Sequence, residues 1–358
     1  MKTSIALSFE AKAYQSFIVS LRDVWRSSAY ANTVTAANIF ISNGASSAAQ
    51  LEVQASQLPA YQLYAWLERH TQQSKYYGRY GIVNWMQDKS AEIEEILEQA
   101  LRVHPERLSL DPSLKIPQYV SEVDTHQHQG GLWSDSCDAF AYETSTTQYS
   151  FSLFDAKSPM MVYADTALQM RPQSKVILDM GCTIGNSTRA LSKAFPTAKI
   201  IGIDLCAPTL KLAHLRSIES KMEVHFRQEN VEQLSDVDQS VDIVASHWLF
   251  HEMPLQAIRN CLKESKRVLK KGGALLIFDM YLLPGGVIGE WLHAGYAARN
   301  NEPFALNYAL MQMQHELQQL GFENINISLA HPQASRDVEN GNLPPVRTHY
   351  MTMITATA

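Results

Sequence analysis

The sequence is poor in features that mark several special classes of protein. Its 358 residues include four cysteines, and no two of them have the CxxC spacing of a zinc ribbon or a thiol redox motif. No apolar stretch approaches the roughly 20 residues of a membrane-spanning helix. Glu10 and Lys12 interrupt the N-terminus before the hydrophobic segment of a signal peptide could form. These absences predict a reduced, cytoplasmic protein without a membrane span.

Positive charge is not in excess either. The chain has 30 basic and 36 acidic side chains, which gives a formal net charge of −6. Proteins that hold nucleic acid usually present a basic surface, because phosphate contacts supply most of the affinity. We therefore expect no nucleic-acid partner. The hydrophobic share of 46% and the charged share of 18% are typical of a globular protein with a large core, and the length suggests two domains.

Hydrophobic periodicity divides the chain into three segments. Residues 1–115 carry apolar residues at helical spacing and are predicted to form a helical domain that dimerises or covers a substrate. Residues 116–158 combine proline, glycine and polar residues with scattered aromatic residues, which predicts a linker or lid. Residues 159–358 alternate short apolar runs with helical patterns, and this alternation predicts an α/β core.

Three apolar stripes stand out in the first segment. The stripes are Tyr14, Phe17, Ile18, Leu21, Val24 and Trp25, then Leu63, Trp66, Leu67 and His70, then Ile93, Ile96, Leu97, Ala100 and Leu101. Each has the spacing of one helix face. Because these stripes are too apolar to remain in water, we expect them to pack over the ligand-binding edge of the core or to form a homodimer interface.

The third segment predicts a doubly wound, mostly parallel sheet with helices on both faces. Seven strands are expected near residues 176–178, 200–203, 224–226, 241–245, 274–278, 325–329 and 348–354. The helices between them are expected near residues 186–195, 208–218, 255–269 and 304–320.

A glycine-bearing turn follows the first predicted strand. Residues 177–185 read Ile-Leu-Asp-Met-Gly-Cys-Thr-Ile-Gly, so the strand ends in Asp179 and the turn opens a helix. Gly181 and Gly185 allow the backbone to approach a ligand closely, and the helix presents free N–H groups. The acid suits a positively charged ligand end, such as an amino group. Thr183 occupies the position of the second glycine that a dinucleotide pyrophosphate requires, which argues against a GxGxxG site.

Polar residues also follow the next three strands. Asp204 can accept hydrogen bonds from both hydroxyls of a ribose, although it could instead cap the next helix. Asn230 can offer an acceptor to an adenine amino group and the Val231 backbone can reach a ring nitrogen, but a plain polar turn is an equal alternative. Residues 246–252, Ser-His-Trp-Leu-Phe-His-Glu, place a polar and aromatic cluster at the end of a strand, where open α/β sheets bind ligands.

Together these motifs resemble the class I S-adenosylmethionine (SAM)-dependent methyltransferases, and more loosely the UbiE/Coq5-like enzymes. The resemblance covers about residues 156–358 and is specific in residues 178–204 and 242–279. It implies a Rossmann-like methyltransferase core, SAM as cofactor, and transfer of a methyl group. The cofactor-binding residues that it implies or that lie beside them are Asp179, Met180, Gly181, Cys182, Gly185, Asp204, Leu205, Asn230, Val231, Ser246 and His247. This sequence departs from the family pattern at Thr183, commonly glycine, and at Asn230, usually aspartate.

The catalytic demands of methyl transfer are modest, because the sulfonium of SAM already activates the methyl group. The protein must mainly place a nucleophile close to the methyl and in line with the C–S bond. If the nucleophile is protonated, His247, His251 and Glu252 are candidate general bases by position, although His251 could equally pack at the sheet edge. The spaced histidine pair and the group Asp124, His126 and His128 are interpreted as ordinary polar residues, so no metal site is expected.

We expect the acceptor to be a small molecule in a closed pocket. His126, Trp133 and Tyr142 come from the predicted lid, and Tyr281, Trp291 and His293 follow the fifth strand of the core. Aromatic walls with a few polar groups are the usual composition of a small-molecule site. These aromatic residues could instead anchor a surface loop. An RNA methyltransferase, or a protein that binds SAM without catalysis, are the alternative functions.

Overall fold

A mixed eight-stranded sheet forms the centre of the computed structural model, which describes residues 3–147, 159–283, 285–330 and 351–358. In chain order the strands are β1 Leu108–Ser109, β2 Val176–Met180, β3 Lys199–Asp204, β4 Val224–Gln228, β5 Val241–His247, β6 Leu269–Asp279, β7 Glu323–Leu329 and β8 Thr352–Thr357. They lie in the order β1-β4-β3-β2-β5-β6-β8-β7. Strands β1 to β6 are parallel, and β8 is antiparallel to both neighbours. The order reverses between β2 and β5, so the carboxyl ends of these strands form the crevice where such sheets bind ligands.

The predicted mostly parallel α/β sheet is confirmed, but its strand number is wrong. The extra strand, β1, pairs with β4 at the sheet edge and is only two residues long, so it has no periodicity to detect. Strand β6 begins at Leu269 and includes the Lys-Lys-Gly-Gly run that the sequence placed between a helix and a strand. The last strand, predicted at 348–354, is observed as β8; positions 348–350 lie outside the described residues.

Some helices precede the sheet in the chain, and the others connect its strands. They are α1 Phe9–Val24, α2 Tyr30–Ser42, α3 Ala48–Ala55, α4 Pro59–Ser74, α5 Ile82–Gln87, α6 Ser90–Leu101, α7 Gln118–Ser121, α8 Ser136–Ser145, α9 Pro159–Met170, α10 Asn186–Ala194, α11 Ala207–Glu219, α12 Leu255–Val268, α13 Gly286–Ala294, α14 Tyr296–Asn300, α15 Ala305–Leu310 and α16 Met313–Gln319. A π-helical turn, Trp25–Ala29, joins α1 to α2. Within the described residues, no helix has both the length and the apolar character that a bilayer crossing needs.

Two hydrophobic cores lie on opposite faces of the sheet. Because side chains alternate along a strand, Leu178 points to one face and Ile177 to the other. The first face packs against α12 and α16, for example through Ile258 and Leu317. The second face packs against α9, α10 and α11. Helices on both faces fix the strand ends rigidly, and the functional groups are carried by the turns that leave those ends.

The predicted apolar stripes are only partly buried. The third stripe is confirmed, because Ile93, Ile96, Leu97 and Ala100 of α6 are buried. The first two stripes are right only in part: Ile18 and Leu67 are buried, but Phe17 is 56% exposed and Trp66 is 54% exposed. The buried faces also carry polar residues, because α1 buries Ala11, Gln15, Ile18 and Arg22, and α4 buries Tyr64, Leu67, Glu68, Thr71 and Gln72. Some of these polar groups have distant partners: Gln15 donates to the Lys75 carbonyl at 3.0 Å, and Glu68 pairs with Arg299.

The N-terminal helices pack directly on the core through two apolar clusters. One joins α5, α6 and α8 to Leu212 and Leu215 of α11. The other joins α2, α3 and α4 to Ile288, Trp291 and Leu292 of α13. The helices therefore pack on the core, as one of the two alternatives expected. The segment boundaries at 115 and 158, and the homodimer, stay predictions.

The helix predicted over 304–320 is broken in two. At Met311 the backbone is extended, with φ −64° and ψ 137°, and this separates α15 from α16. The hydroxyl of Tyr281 occupies the break: it donates to the Met311 carbonyl and accepts from the Met313 N–H at 3.2 Å. A long-range hydrogen bond thus overrides a local helical pattern.

Candidate cofactor and acceptor site

The turn after β2 is organised around a buried carboxylate. Asp179 is 0% exposed. Its carboxylate accepts hydrogen bonds from the hydroxyls of Tyr163 at 2.8 Å, Ser187 at 2.7 Å and Thr188 at 2.6 Å. Burial raises the pKa of Asp179 to about 6, and the three hydroxyl donors oppose that rise. The residue therefore ties the turn to α9 and α10, and its predicted contact with a cofactor amino group stays a prediction.

Thr183 adopts the conformation that the usual glycine would take. Its φ is +49°, in the left-handed region, which costs a residue with a Cβ about 1–2 kcal/mol. Its backbone N–H donates to Oδ2 of Asp204 at 2.8 Å, and this bond holds the turn against the end of β3. Threonine in place of the usual glycine therefore still adopts the left-handed conformation, at a cost in backbone strain.

Asp204 joins two turns and also lines the cavity that is described below. Its Oδ1 accepts from the Cys206 N–H at 2.9 Å, while its Oδ2 accepts from Thr183. Burial raises its pKa. The helix-cap alternative is wrong, because the N-cap of α11 is Cys206, two residues later. A carboxylate fixed on one side by backbone N–H groups and open on the other is well placed to accept ribose hydroxyls.

Several predicted cofactor residues do not line the cavity in the described structure. Oδ1 of Asn230 accepts from the Glu232 N–H at 2.9 Å, which is the polar-turn alternative, and Val231 packs in the core. Neither lines the cavity in the described part of the chain, and the same holds for Met180, Cys182, Gly185 and Ser246. An adenine contact from this segment would need the second lone pair of the Asn230 oxygen or other atoms of the segment.

His247 is enclosed by aromatic rings rather than exposed to the cavity. Its ring stacks on Phe278 at a centroid distance of 5.0 Å and meets Tyr163 edge-on at 5.3 Å. Burial lowers the pKa of His247 to about 4, so the ring is neutral near pH 7. Its Nε2 has no hydrogen-bond partner among the described residues. This placement argues against the predicted role of His247 as a base.

His251 is held in one orientation by an acid at the end of β6. Its Nδ1 lies 2.6 Å from Oδ1 of Asp279, and Oδ2 of Asp279 accepts from the Phe250 N–H at 2.8 Å. Burial alone would lower the pKa of His251, but the charge and hydrogen bond of Asp279 raise it well above the usual value. The other ring nitrogen, Nε2, lies 3.4 Å from Oε1 of Glu252 and faces the cavity side.

His126 of the lid joins the same network from the opposite side. Its Nε2 lies 3.1 Å from Oε1 of Glu252, and its Nδ1 lies 2.8 Å from Oε1 of Glu302. Burial would lower the pKa of His126, but Glu302 and Glu252 raise it to about 9. The two histidines hold the pKa of Glu252 well below its usual range, although burial alone would raise it. His128, in contrast, is buried against Asp138 and anchors the lid.

One cavity of about 340 Å³ joins these groups. Gly181, Thr183, Asp204 and Leu205, from the turns after β2 and β3, line it. The lining also includes His126, Trp133, Tyr142, His251 and Glu252, together with Trp25, Arg26, Tyr64, Glu68, Lys75 and Trp248. The lid and the N-terminal helices therefore line one space together with the carboxyl edge of the sheet.

Half of the predicted acceptor residues lie in this cavity. His126, Trp133 and Tyr142 line it, whereas Tyr281, Trp291 and His293 are absent from its lining in the described structure. Tyr281 fills the helix break. The Trp291 indole N–H donates to Glu52 at 2.7 Å inside the helix cluster, and Nε2 of His293 lies 3.2 Å from the Ala305 carbonyl. These three residues have structural partners, so the prediction that they contact the acceptor is not supported.

Sequence reasoning missed the contribution of the N-terminal helices. Glu68, Thr71, Gln72 and Lys75 lie on one face of α4 and its end, and Glu68 pairs with the buried Arg299. Their spacing of three and four residues is a polar stripe at helical period, and this signal was available beside the apolar one. Trp248 belongs to the predicted cluster 246–252 but was given no role of its own; its φ of +58° is a strained conformation of the kind that clusters at functional sites.

Comparison with known proteins identifies the core. Residues 177–273 match the family described as a methyltransferase domain. A ubiquinone biosynthesis O-methyltransferase of Xanthomonas campestris pv. campestris is 31% identical over 126 residues, 34% of this chain and 50% of that protein. The phthiotriol/phenolphthiotriol dimycocerosates methyltransferase of Mycobacterium leprae is 29% identical over 188 residues, 51% of this chain and 61% of that protein.

One solved structure is similar over part of its length. The phosphoethanolamine N-methyltransferase 2 of Haemonchus contortus, in complex with SAM, has a TM-score of 0.46 and 16% identity over 68% of this chain and 60% of that one. The chain spans about half the length of the first curated relatives it matches. The expectation from the sequence is confirmed at the level of the domain: residues 177–273 carry a methyltransferase domain, as expected for a class I enzyme with SAM as its cofactor.

Proposed function

We propose that this protein transfers the methyl group of SAM to a small-molecule acceptor enclosed with it in the cavity. The observation that carries the proposal is the continuity of this space. The same cavity is lined by Asp204 and Thr183, which we take as its cofactor end, and by His126, Trp133 and His251, which we take as its acceptor end. A methyl group presented from the sheet edge would therefore point toward the lid.

Enclosure supports a small acceptor over a polymer. The lining combines aromatic side chains with a few charged ones, which is the composition of small-molecule sites. An RNA methyltransferase would instead require a surface that holds a phosphate backbone, and the chain carries a net charge of −6. The curated relatives described above are, by their names, a ubiquinone biosynthesis O-methyltransferase and a phthiotriol/phenolphthiotriol dimycocerosates methyltransferase, and neither name refers to a nucleic acid.

The chemistry asked of the protein is placement and, for a protonated acceptor, proton removal. The acceptor's lone pair forms the bond to the methyl carbon while the C–S electron pair stays on sulfur, which yields S-adenosylhomocysteine. His251 and Glu252 lie at the acceptor end, and Asp279 orients His251. We assign the acceptor-contacting role to these two residues and not to His247, which lies within its aromatic enclosure.

The proposal is tested with methyl-labelled SAM and a fractionated extract. The purified chain should transfer label to a fraction of low molecular mass, and RNA and protein fractions should stay unlabelled. Label that appears only in RNA would support the alternative of an RNA methyltransferase. Tight SAM binding with no transfer to any fraction, even in extracts of several growth conditions, would favour a SAM-binding protein without catalysis.

A further inference from the structure

Three acidic and imidazole groups from distant parts of the chain converge beside the acceptor end of the cavity: His126 and Glu252 line it, and Glu302 is buried next to them. His126 belongs to the 3-10 turn Thr125–Gln127 of the lid, Glu252 to the 3-10 turn Phe250–Glu252 after β5, and Glu302 follows α14. One ligand-type atom from each lies within 4.8 Å of the others. Neither histidine grouping noticed in the sequence contains this set, because its members are separated by more than a hundred and by fifty residues.

We infer that His126, Glu252 and Glu302 bind a divalent transition-metal ion at the acceptor end of the cavity. The spacing of the groups fits. Oε1 of Glu252 lies 3.1 Å from Nε2 of His126, so this nitrogen would bind the ion. Nδ1, which points to the other side of the ring, lies 2.8 Å from Oε1 of Glu302, so Glu302 would offer its other oxygen, Oε2, to the ion. Metal–ligand bonds of about 2.0–2.2 Å place neighbouring ligand atoms roughly 3 Å apart.

A buried oxygen without a partner supports the site independently. Glu302 is 0% exposed, and in the described part of the chain its Oε2 has no hydrogen-bond partner. This oxygen lies 3.8 Å from Nε2 of His251, which is an ion-pair distance but too long for a hydrogen bond. A buried carboxylate oxygen without a hydrogen bond is costly, and a metal ion beside it would satisfy it.

The surroundings have the form of a metal site's outer layer. The Tyr296 hydroxyl donates to Oε1 of Glu302 at 2.9 Å, which fixes that carboxylate. Asp279 similarly fixes the neighbouring ring of His251. Hydrogen bonds of this kind orient metal ligands and tune their basicity. Only three protein groups would hold the ion, so further positions remain for a substrate, as in catalytic metal sites.

The donor set indicates the class of ion and of acceptor. One imidazole with two carboxylates suits Mn²⁺, Fe²⁺ or Zn²⁺ better than the all-oxygen sites preferred by Mg²⁺ or Ca²⁺. The role of the ion, though not its binding, rests on the proposed methyl transfer. An ion here would hold an acceptor oxygen, so the inference narrows the acceptor to small molecules with a hydroxyl group. The hydroxyl proton goes to solvent on binding, and the oxygen lone pair then forms the C–O bond as the C–S bond breaks.

The test is Mn²⁺ binding by the chelator-stripped full chain, followed by electron paramagnetic resonance. We expect one bound Mn²⁺ per chain, and an affinity at least roughly 10-fold lower in Glu302→Gln and in His126→Ala. Glu106→Gln, at a surface acid outside the cavity, is the control and should bind Mn²⁺ like the unchanged chain. SAM calorimetry on each variant reports whether the domain is folded; His126 is a quarter exposed, so its variant is the safer of the two.

Two results would overturn the inference. One is no Mn²⁺ uptake by the unchanged chain, which would leave His126 as a charged bridge between two carboxylates. The other is equal Mn²⁺ affinity in the unchanged chain and in both folded variants, which would place the ion elsewhere. If Mn²⁺ does not bind at these residues but SAM-dependent methylation is observed, only the metal inference is contradicted and the proposed function is retained. Mn²⁺ bound at these residues with no methylation of any fraction removes the proposed function and leaves the site.

Discussion

The two ends of the cavity are built in different ways. The cofactor end consists of two turns that follow adjacent strands, and Thr183 and Asp204 meet there through one hydrogen bond. The acceptor end draws His126 from the lid and Glu68 from an N-terminal helix, and Glu302, from a loop far along the chain, is buried beside His126. The first end is set by local motifs on a rigid sheet, whereas the second depends on long-range packing. Mutations at the two ends should therefore separate cofactor binding from acceptor chemistry.

The largest effect is expected at His251. We expect His251→Asn to lower the rate of methyl transfer by roughly 10- to 100-fold, because the raised pKa keeps the ring protonated and the acceptor loses a charged hydrogen-bond donor worth about 1.5–3 kcal/mol. SAM affinity should stay within twofold, because His251 belongs to the acceptor end. Steady-state kinetics and calorimetry together check this split. A variant that loses SAM affinity but keeps its turnover number would contradict the division of the cavity.

Two tryptophans that the sequence treated alike should behave in opposite ways. Trp291 is 1% exposed within the helix cluster, so Trp291→Ala should cost about 3–5 kcal/mol of unfolding free energy. Trp133 lines the cavity, so Trp133→Ala should raise the KM for the acceptor and change stability much less. Chemical denaturation and kinetics measure the two effects. Equal losses of stability in both variants would place Trp133 in the core rather than at the acceptor.

At the cofactor end, Asp204→Ala should weaken SAM binding by about 1–3 kcal/mol, because two ribose hydroxyls lose their shared acceptor. Calorimetry with SAM gives the affinity, and Asp238→Ala, at an exposed acid near β5, is the matched control. Because Asp204 also holds the Thr183 and Cys206 N–H groups, the melting temperature of the variant must be measured alongside. An unchanged SAM affinity would reject the assignment of the ribose acid.

The smallest effect concerns the unusual residue of the turn. Thr183→Gly should change the unfolding free energy by less than about 1 kcal/mol, since relief of the left-handed conformation offsets the greater backbone freedom of glycine. SAM affinity should be retained. By contrast, Gly185→Ala, two residues later in the same turn, should be clearly destabilising, because φ is +72° and a Cβ there would lie 3.0 Å from the Phe226 ring. A Thr183→Gly variant destabilised as much as Gly185→Ala would show that the threonine side chain itself is needed.

The same comparison explains what the sequence could and could not predict. The sheet, its strand ends and the placement of Asp204 depend on short apolar runs or on turns of a few residues, and these are visible in one sequence. The faces of α1 and α4 were predicted only in part, because they also bury Gln15 and Glu68, which bind distant residues. Apolar periodicity alone cannot detect a helix that buries polar groups.

The sequence also could not predict which distant residues would meet. The histidine of the lid was expected near the acceptor, yet nothing in the sequence pairs His126 with Glu302, which lies 176 residues later and meets it at 2.8 Å. Tyr281 and Trp291 look like pocket residues by type and position, but their hydrogen bonds to Met311 and Glu52 use them for packing. Residue type indicates what a side chain can do, whereas the fold decides which partner it meets.

The central claim is that cofactor and acceptor share one cavity over the carboxyl edge of the sheet. A crystal structure of the chain with S-adenosylhomocysteine tests it most directly. We expect the ribose hydroxyls to lie within hydrogen-bond distance of Asp204, and the sulfur to point along the cavity toward His251, Trp133 and His126. A ligand bound with its ribose away from Asp204, or with its sulfur pointing to bulk solvent instead of toward the lid, would contradict the account.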